Sequence, residues 1–123
     1  MWLQIDSMSA LASRASRLDR TLLALSDPTR RRLLERIGRG PMRASDLGRG
    51  FPMTRPAVSK HLRVLRGAGL VTAVARGREV LYQLASDRRG IDEARIFLDR
   101  MSRGWDQALA AFKAFAEAAD DRS

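Results

Sequence analysis

One segment near the middle of the chain carries cationic and hydroxyl side chains at helical spacing. Three apolar residues within residues 54–70 recur at intervals of four and three, which forms one narrow stripe along a helix: Val58, Leu62 and Leu65. The opposite side has no acidic residue and carries Arg55, Ser59, Lys60, Arg63 and Arg66. A helix that buries one stripe and exposes positive charge and hydroxyl groups is suited to enter a nucleic-acid groove.

The positive charge is concentrated in the middle of the chain. The net charge is +9, and residues 28–90 hold 15 basic and four acidic side chains, whereas residues 1–27 sum to zero and residues 91–123 to −2. A uniformly basic surface would have spread this charge along the chain. The distribution therefore predicts a polyanionic partner, nucleic acid before acidic lipid.

Several other functions lack the residues that they need. The 123 residues include no cysteine and a single histidine, His61, which excludes disulfides and thiolate metal sites and predicts no metal or other cofactor. We find no paired acid and base, no nucleophile with a histidine partner and no phosphate-binding glycine loop, so catalysis is not predicted. No apolar run reaches the roughly 18–20 residues that span a bilayer, and no signal peptide is recognisable. We therefore expect a cytoplasmic protein without a membrane partner.

The elements that must position the basic segment are mostly helices. Residues 9–25 are weakly amphipathic and predict a helix, and Asp27-Pro28 has the residue types that begin another. A short helix over 44–47 precedes a turn, after which Thr54 is suited to cap a helix that continues to Arg66. Two helices joined by a tight turn form a helix-turn-helix.

A β-hairpin is predicted directly after the basic helix. Residues 70–75 and 79–84 alternate in the manner of strands, and the loop between them is Arg76-Gly77-Arg78. A hairpin at this place is the wing of a winged helix. Its two arginines are suited to contact a phosphate or the minor groove.

The last predicted helix, over residues 91–119, has an apolar face. Its members are Phe97, Met101, Trp105, Ala108, Phe112 and Phe115. We interpret this face as a homodimer interface, because a small winged helix offers little surface to cover it. Intramolecular packing and a small-molecule pocket between the terminal helices are the alternatives.

The fold class is therefore mainly α with a small β-hairpin. We expect a single winged-helix DNA-binding domain over residues 1–123. Within it, an N-terminal extension covers about 1–16, the winged-helix core 28–86, and a C-terminal dimerisation helix 91–119.

Four runs of sequence resemble the ArsR-type winged helix-turn-helix transcriptional regulators. In order, over roughly residues 17–86, they are LLALSDPTRRRLLERI, SDLGRGF, MTRPAVSKHLRVLRGAGLV and RGREVLYQL. The resemblance implies a homodimer that binds double-stranded operator DNA, mostly as a repressor released by a signal. It implies that the DNA-facing residues of the recognition helix are Thr54, Arg55, Ser59, Lys60 and His61, with Arg63 toward the DNA backbone, and that the contacting residues of the wing are Arg76 and Arg78.

The chain departs from the metal-sensing members of that family. The two cysteine positions of their metal-binding box fall on Arg43 and Ser45, which here begin the helix before the turn and are suited to contact the DNA backbone. Other members bind metal on the last helix, where this chain has no histidine but only the carboxylates Asp92, Glu93, Asp99 and Asp106. The resemblance therefore implies a branch without metal sites, whose effector the sequence does not identify.

Together these patterns predict a dimeric, sequence-specific repressor that occludes a promoter at an inverted repeat. The rivals are an architectural protein that binds DNA without sequence preference and an interaction module that no longer binds DNA. Some residues keep a second interpretation. The basic helix side and residues 30–32 could be solvated surface, and His61 could be a packing residue.

Overall fold

A computed structural model describes residues 16–121, which are mainly helical and contain one small antiparallel sheet. Contacts divide the chain into two compact units, Met1–Glu93 and Ala94–Ser123, so the boundary falls within the last helix. The elements in chain order are α1 (residues 16–25), α2 (Pro28–Gly38), β1 (Met42–Arg43), α3 (Ala44–Leu47), α4 (Arg55–Gly67), β2 (Val71–Arg76), β3 (Glu79–Leu84) and α5 (Arg89–Asp121). Residues 1–15, with most of the predicted N-terminal extension and the start of the predicted helix over 9–25, lie outside the described residues.

Helix α2 begins where the sequence predicts. The Asp27 carboxylate accepts a hydrogen bond from the Arg30 backbone N–H at 2.9 Å, and Pro28 occupies the first turn, where it costs no hydrogen bond. Leu33 and Ile37 are buried. The helix ends at Gly38, as expected from the glycines and proline that follow.

Helix α4 is fixed by its cap and by its apolar stripe. Thr54 Oγ1 accepts from the Ala57 N–H at 3.3 Å, and the three predicted stripe residues are all buried. They join one core with side chains of α1, α2, α3 and β2, which includes Ala24, Leu33, Ile37, Leu47, Leu70 and Val71. The stripe prediction is confirmed, and the opposite side of α4 is left facing outward.

The sheet has three strands in the order β1–β3–β2, all antiparallel. Arg76 pairs with Glu79, so the wing turn consists of Gly77 and Arg78, and Gly77 has the positive φ of 64° that the turn requires. The predicted hairpin is thus present, with its first strand shifted by one residue. The strand β1 was not predicted, since two residues are too few to show a period.

Helix α1 packs closely against the first turn of α5. The hydroxyl of fully buried Thr21 donates to the Arg17 carbonyl at 3.0 Å, and the Arg17 guanidinium pairs with Glu93. Gly90 allows this approach, because a Cβ at that position would lie 2.8 Å from Thr21 Oγ1. A glycine is therefore required at the start of α5.

Residues 94–121 continue α5 with an exposed apolar face. All six residues of the predicted face are exposed, and Phe112 and Phe115 reach 70% and 73%. No described helix is both long and apolar enough to cross a membrane.

Candidate nucleic-acid interface

The outward side of α4 and the start of α3 share one open depression. Its volume is about 260 Å³, and Ser45, Arg55 and Ser59 are among its lining residues. Thr54, which caps α4, is exposed beside them. Three of the residues predicted to contact DNA are therefore brought together, and they offer two hydroxyl groups and one guanidinium to a ligand.

The cations of α4 are available for an external partner. Arg55, Lys60 and Arg63 are exposed, and within the described residues none of them forms an ion pair or a side-chain hydrogen bond. A cation without an internal partner has all its hydrogen-bond donors, and a charge that no carboxylate neutralises, available for a phosphate or a base-edge acceptor. The recognition helix thus presents uncompensated positive charge.

The wing tip repeats this arrangement. Arg76 and Arg78 flank Gly77, are exposed, and have no acidic partner among residues 16–121. A short turn between two paired strands fixes the backbone from which both side chains project. The wing can therefore supply two further cations to a polyanion.

Arg43 differs from the other predicted contacts because it is engaged by two carboxylates. Its guanidinium donates to Asp46 at 3.0 Å and to Glu79 at 2.9 Å. The hydrogen bond to Asp46 is the largest cause that raises the pKa of Arg43, and Glu79 adds to it. These contacts join the start of α3 to the wing, which the sequence pattern did not indicate.

His61 is the least exposed of the predicted contacts. Its side chain is 19% exposed, and Nδ1 lies 3.3 Å from the Arg30 guanidinium and 4.0 Å from the Asp27 carboxylate. If Arg30 donates, Nδ1 accepts and the imidazole proton is on Nε2. The hydrogen bond from the Arg30 backbone N–H is the main cause that lowers the pKa of Asp27.

Arg30 also ties α1 to this corner of the fold. Its guanidinium donates to the Leu23 and Ala24 carbonyls, at 3.0 and 2.8 Å, at the end of α1. Arg30 therefore connects α1, α2 and α4, a role that its place in the Asp-Pro-Thr-Arg run did not reveal.

The described residues contain no group of three or more His, Cys, Asp or Glu side chains that could hold a metal ion. The positions of Arg43 and Ser45 offer an ion-paired guanidinium and an exposed hydroxyl. Neither group is a ligand that zinc-like metals prefer.

A family model and curated relatives match this chain. A helix-turn-helix domain model matches residues 25–74. The HTH-type transcriptional regulator Rv2034 of Mycobacterium tuberculosis is 40% identical over 103 residues, which cover 84% of this chain and 92% of that protein. The transcriptional repressor SdpR of Bacillus subtilis is 36% identical over 61 residues, or 50% of this chain and 68% of that protein.

A solved structure has the same arrangement of elements. The ArsR-like transcriptional regulator from Rhodococcus sp. RHA1 matches with a TM-score of 0.63 and 36% identity, over 83% of this chain and 94% of that one. Sequence and fold agree with the motifs described above. This chain belongs to the ArsR-type family of helix-turn-helix transcriptional regulators.

Proposed function

We propose that this protein is a homodimeric repressor that binds an inverted-repeat operator through α4. The observation that carries the proposal is the pairing of a buried stripe with an exposed, uncompensated cationic side on one helix. That arrangement fixes the helix to the domain while leaving its charge to the ligand. Family membership supports DNA binding and regulation rather than catalysis.

The contacts divide by chemistry. Arg55, Ser59 and Lys60 are our choices for base edges in the major groove, where guanidinium and ammonium groups pair with guanine acceptors. Phosphate contacts are assigned to the remaining predicted residues, which are Arg43, Ser45, Thr54, His61, Arg63, Arg76 and Arg78. Binding is then driven largely by release of counterions, so it weakens steeply with salt.

The dimer is assigned to the exposed apolar face of residues 94–121. A second copy would remove this face from water, whereas a monomer leaves large aromatic side chains exposed. Two-fold symmetry would place two α4 helices about one turn of DNA apart, roughly 34–36 Å. Repression would follow by covering a promoter, in the cytoplasm. The relative SdpR is a transcriptional repressor, which supports repression rather than activation.

A competition titration tests this function against the architectural rival. The protein is titrated onto labelled DNA from upstream of its own gene, and unlabelled copies of that DNA or of a scrambled duplex compete. A regulator prefers its site by roughly a thousandfold or more at constant salt. Equal competition by both duplexes would favour the architectural rival.

A further inference from the structure

A second group of arginines lies outside the recognition helix and the wing. Arg32, Arg36 and Arg39 are spaced by four and three residues, which places them in one row along α2 and its C-terminal cap. Arg49, in the turn after α3, joins this row, and we call the four residues the α2 arginine cluster. Arg36, Arg39 and Arg49 line one open depression of about 460 Å³, and Arg32, Arg36 and Arg39 line a second of about 390 Å³.

Arg36 fixes the centre of the cluster. Its guanidinium lies 4.3 Å from the centroid of the Phe51 ring and donates to the Leu47 carbonyl at 2.9 Å and to the Arg49 carbonyl. These contacts hold the turn between α3 and α4 against α2. Arg36 is therefore part of the scaffold, and it keeps a positive charge between the other three.

The outer members of the cluster are free to bind an anion. Arg32 and Arg39 are exposed and form no ion pair within the part of the chain that the structure describes. The Arg49 side chain is 83% exposed and lies 3.7 Å from Asp46, a long contact. Glu35 lines the second depression, and none of the residues that line the first depression is acidic.

Such a row raises the free energy of the unbound protein, because like charges four residues apart repel each other on a helix. An anionic partner relieves this repulsion. The cluster therefore fits a surface that carries several negative charges, either a nucleic-acid backbone or an acidic protein.

Continuity with the recognition face favours the nucleic acid. Arg49 lines the depression shared by α3 and α4, together with Arg55 and Ser59, and it also lines the depression on α2. One residue thus borders both surfaces, and cationic side chains follow one another from α4 around the turn to α2. A duplex seated on α4 would have its backbone beside Arg49.

We propose that the operator duplex extends beyond its contact with α4 and lays a phosphate backbone against the α2 arginine cluster. This inference rests on the proposed function and adds a second contact surface to it. The contacts are with phosphates and carry no base specificity. They lengthen the bound segment of DNA and make binding more dependent on salt.

The test compares salt dependence in matched double variants. Arg39→Gln with Arg49→Gln removes two charges of the cluster and leaves Arg36 in place, and Arg95→Gln with Arg100→Gln removes two exposed charges of α5. Fluorescence anisotropy gives Kd at several salt concentrations, and thermal melts check that each variant folds. Each lost phosphate contact reduces the slope of log K against log salt by about 0.9, so the cluster variant should lose about 1.8 per chain. The α5 variant should retain the wild-type slope.

Hydroxyl-radical footprinting supplies a second measurement. Lys60→Ala should lose protection of the DNA backbone positions beside α4. The wild type should protect those positions and further ones outside them. The cluster variant should lose protection only at the outer positions. If Lys60→Ala weakens binding but the cluster variant keeps the wild-type slope and footprint, the inference is wrong and the cluster is better assigned to an acidic protein. If the wild type binds no duplex, the proposed function itself fails.

Discussion

The ion pair between Arg43 and Glu79 provides a sharp test of the electrostatics of this surface. Glu79 is the acidic residue next to the wing arginines, and its carboxylate holds Arg43, a residue assigned to a DNA phosphate, at 2.9 Å. In the variant Glu79→Gln, Arg43 keeps Asp46 as a partner at 3.0 Å but has guanidinium donors free for the DNA. We therefore predict that Glu79→Gln binds the operator more tightly than the wild type.

The size of the effect follows from counterion release. One additional phosphate contact per chain contributes about 0.9 to the salt slope, which corresponds to about a fivefold gain in affinity for each chain of the dimer at 0.15 M salt. The gain should fall by about 3.5-fold between 50 and 200 mM salt. Both partners are about half exposed, so water screens the ion pair and its loss should change the stability of the fold little.

The assay is fluorescence anisotropy at several salt concentrations, with a control for charge alone. Glu117→Gln makes the same chemical change at an exposed position of α5 and should bind like the wild type. The double variant Arg43→Gln with Glu79→Gln should lose the gain, because the freed guanidinium is gone. Affinity of Glu79→Gln that is unchanged or reduced would refute the assignment of Arg43 to the DNA backbone.

Three further predictions concern stability and assembly. Gly90→Ala should lower the free energy of unfolding by about 1–3 kcal/mol in a denaturant titration, because its methyl group would lie 2.8 Å from Thr21 Oγ1; wild-type stability would refute the close packing. Phe112→Glu should give monomers or aggregates in sedimentation, since it puts a charge into the proposed dimer face. The control Ala110→Glu, on the opposite side of the helix, should stay dimeric. A soluble Phe112→Glu dimer would place the interface elsewhere. Hydrogen bonds from the Arg89 guanidinium lower the pKa of Asp87 from 3.8 to about 2, so its contribution to stability is fully present above pH 4 and is lost as the pH falls through 2. Asp87→Asn should therefore lower Tm at pH 7 and lower it less at pH 2, and an equal difference at both values would contradict this.

Two groups of arginines in the described part of the first unit show how one residue type both supports the proposed binding surface and forms part of it. Arg30 and Arg36 donate to carbonyl oxygens at element ends, so they stabilise the corners that hold α4. Arg55, Arg63 and Arg76 have no such partner within the described ranges and keep their donors for a ligand. Sequence alone does not separate these groups, since both lie on polar helix sides or loops.

Local signals allowed much of the fold to be predicted. Asp27, Thr54 and Gly77 act within a few residues of themselves, as caps or in a turn, and so their roles follow from neighbouring residues. The buried stripe of α4 follows from periodicity in the same way. The order of these elements was sufficient to indicate a winged helix.

Contacts between distant residues were not predicted. Arg43 and Glu79 are 36 positions apart, and Arg30 and His61 are 31 apart, so no period or spacing links them. The strand β1 likewise exists only because β3 lies beside it. Candidate site residues could be proposed from the sequence, but which of them are engaged inside the protein depends on the fold.

The central claim is that the exposed side of α4 reads operator DNA. The most direct measurement is the affinity of the wild type and of Arg55→Ala with Lys60→Ala for duplex DNA from upstream of its own gene, at low and at physiological salt. We expect tight, salt-dependent binding by the wild type and a loss of about 1–3 kcal/mol for each base-edge contact removed, with thermal melts unchanged. Equal affinity of the two proteins, each correctly folded, would contradict the claim.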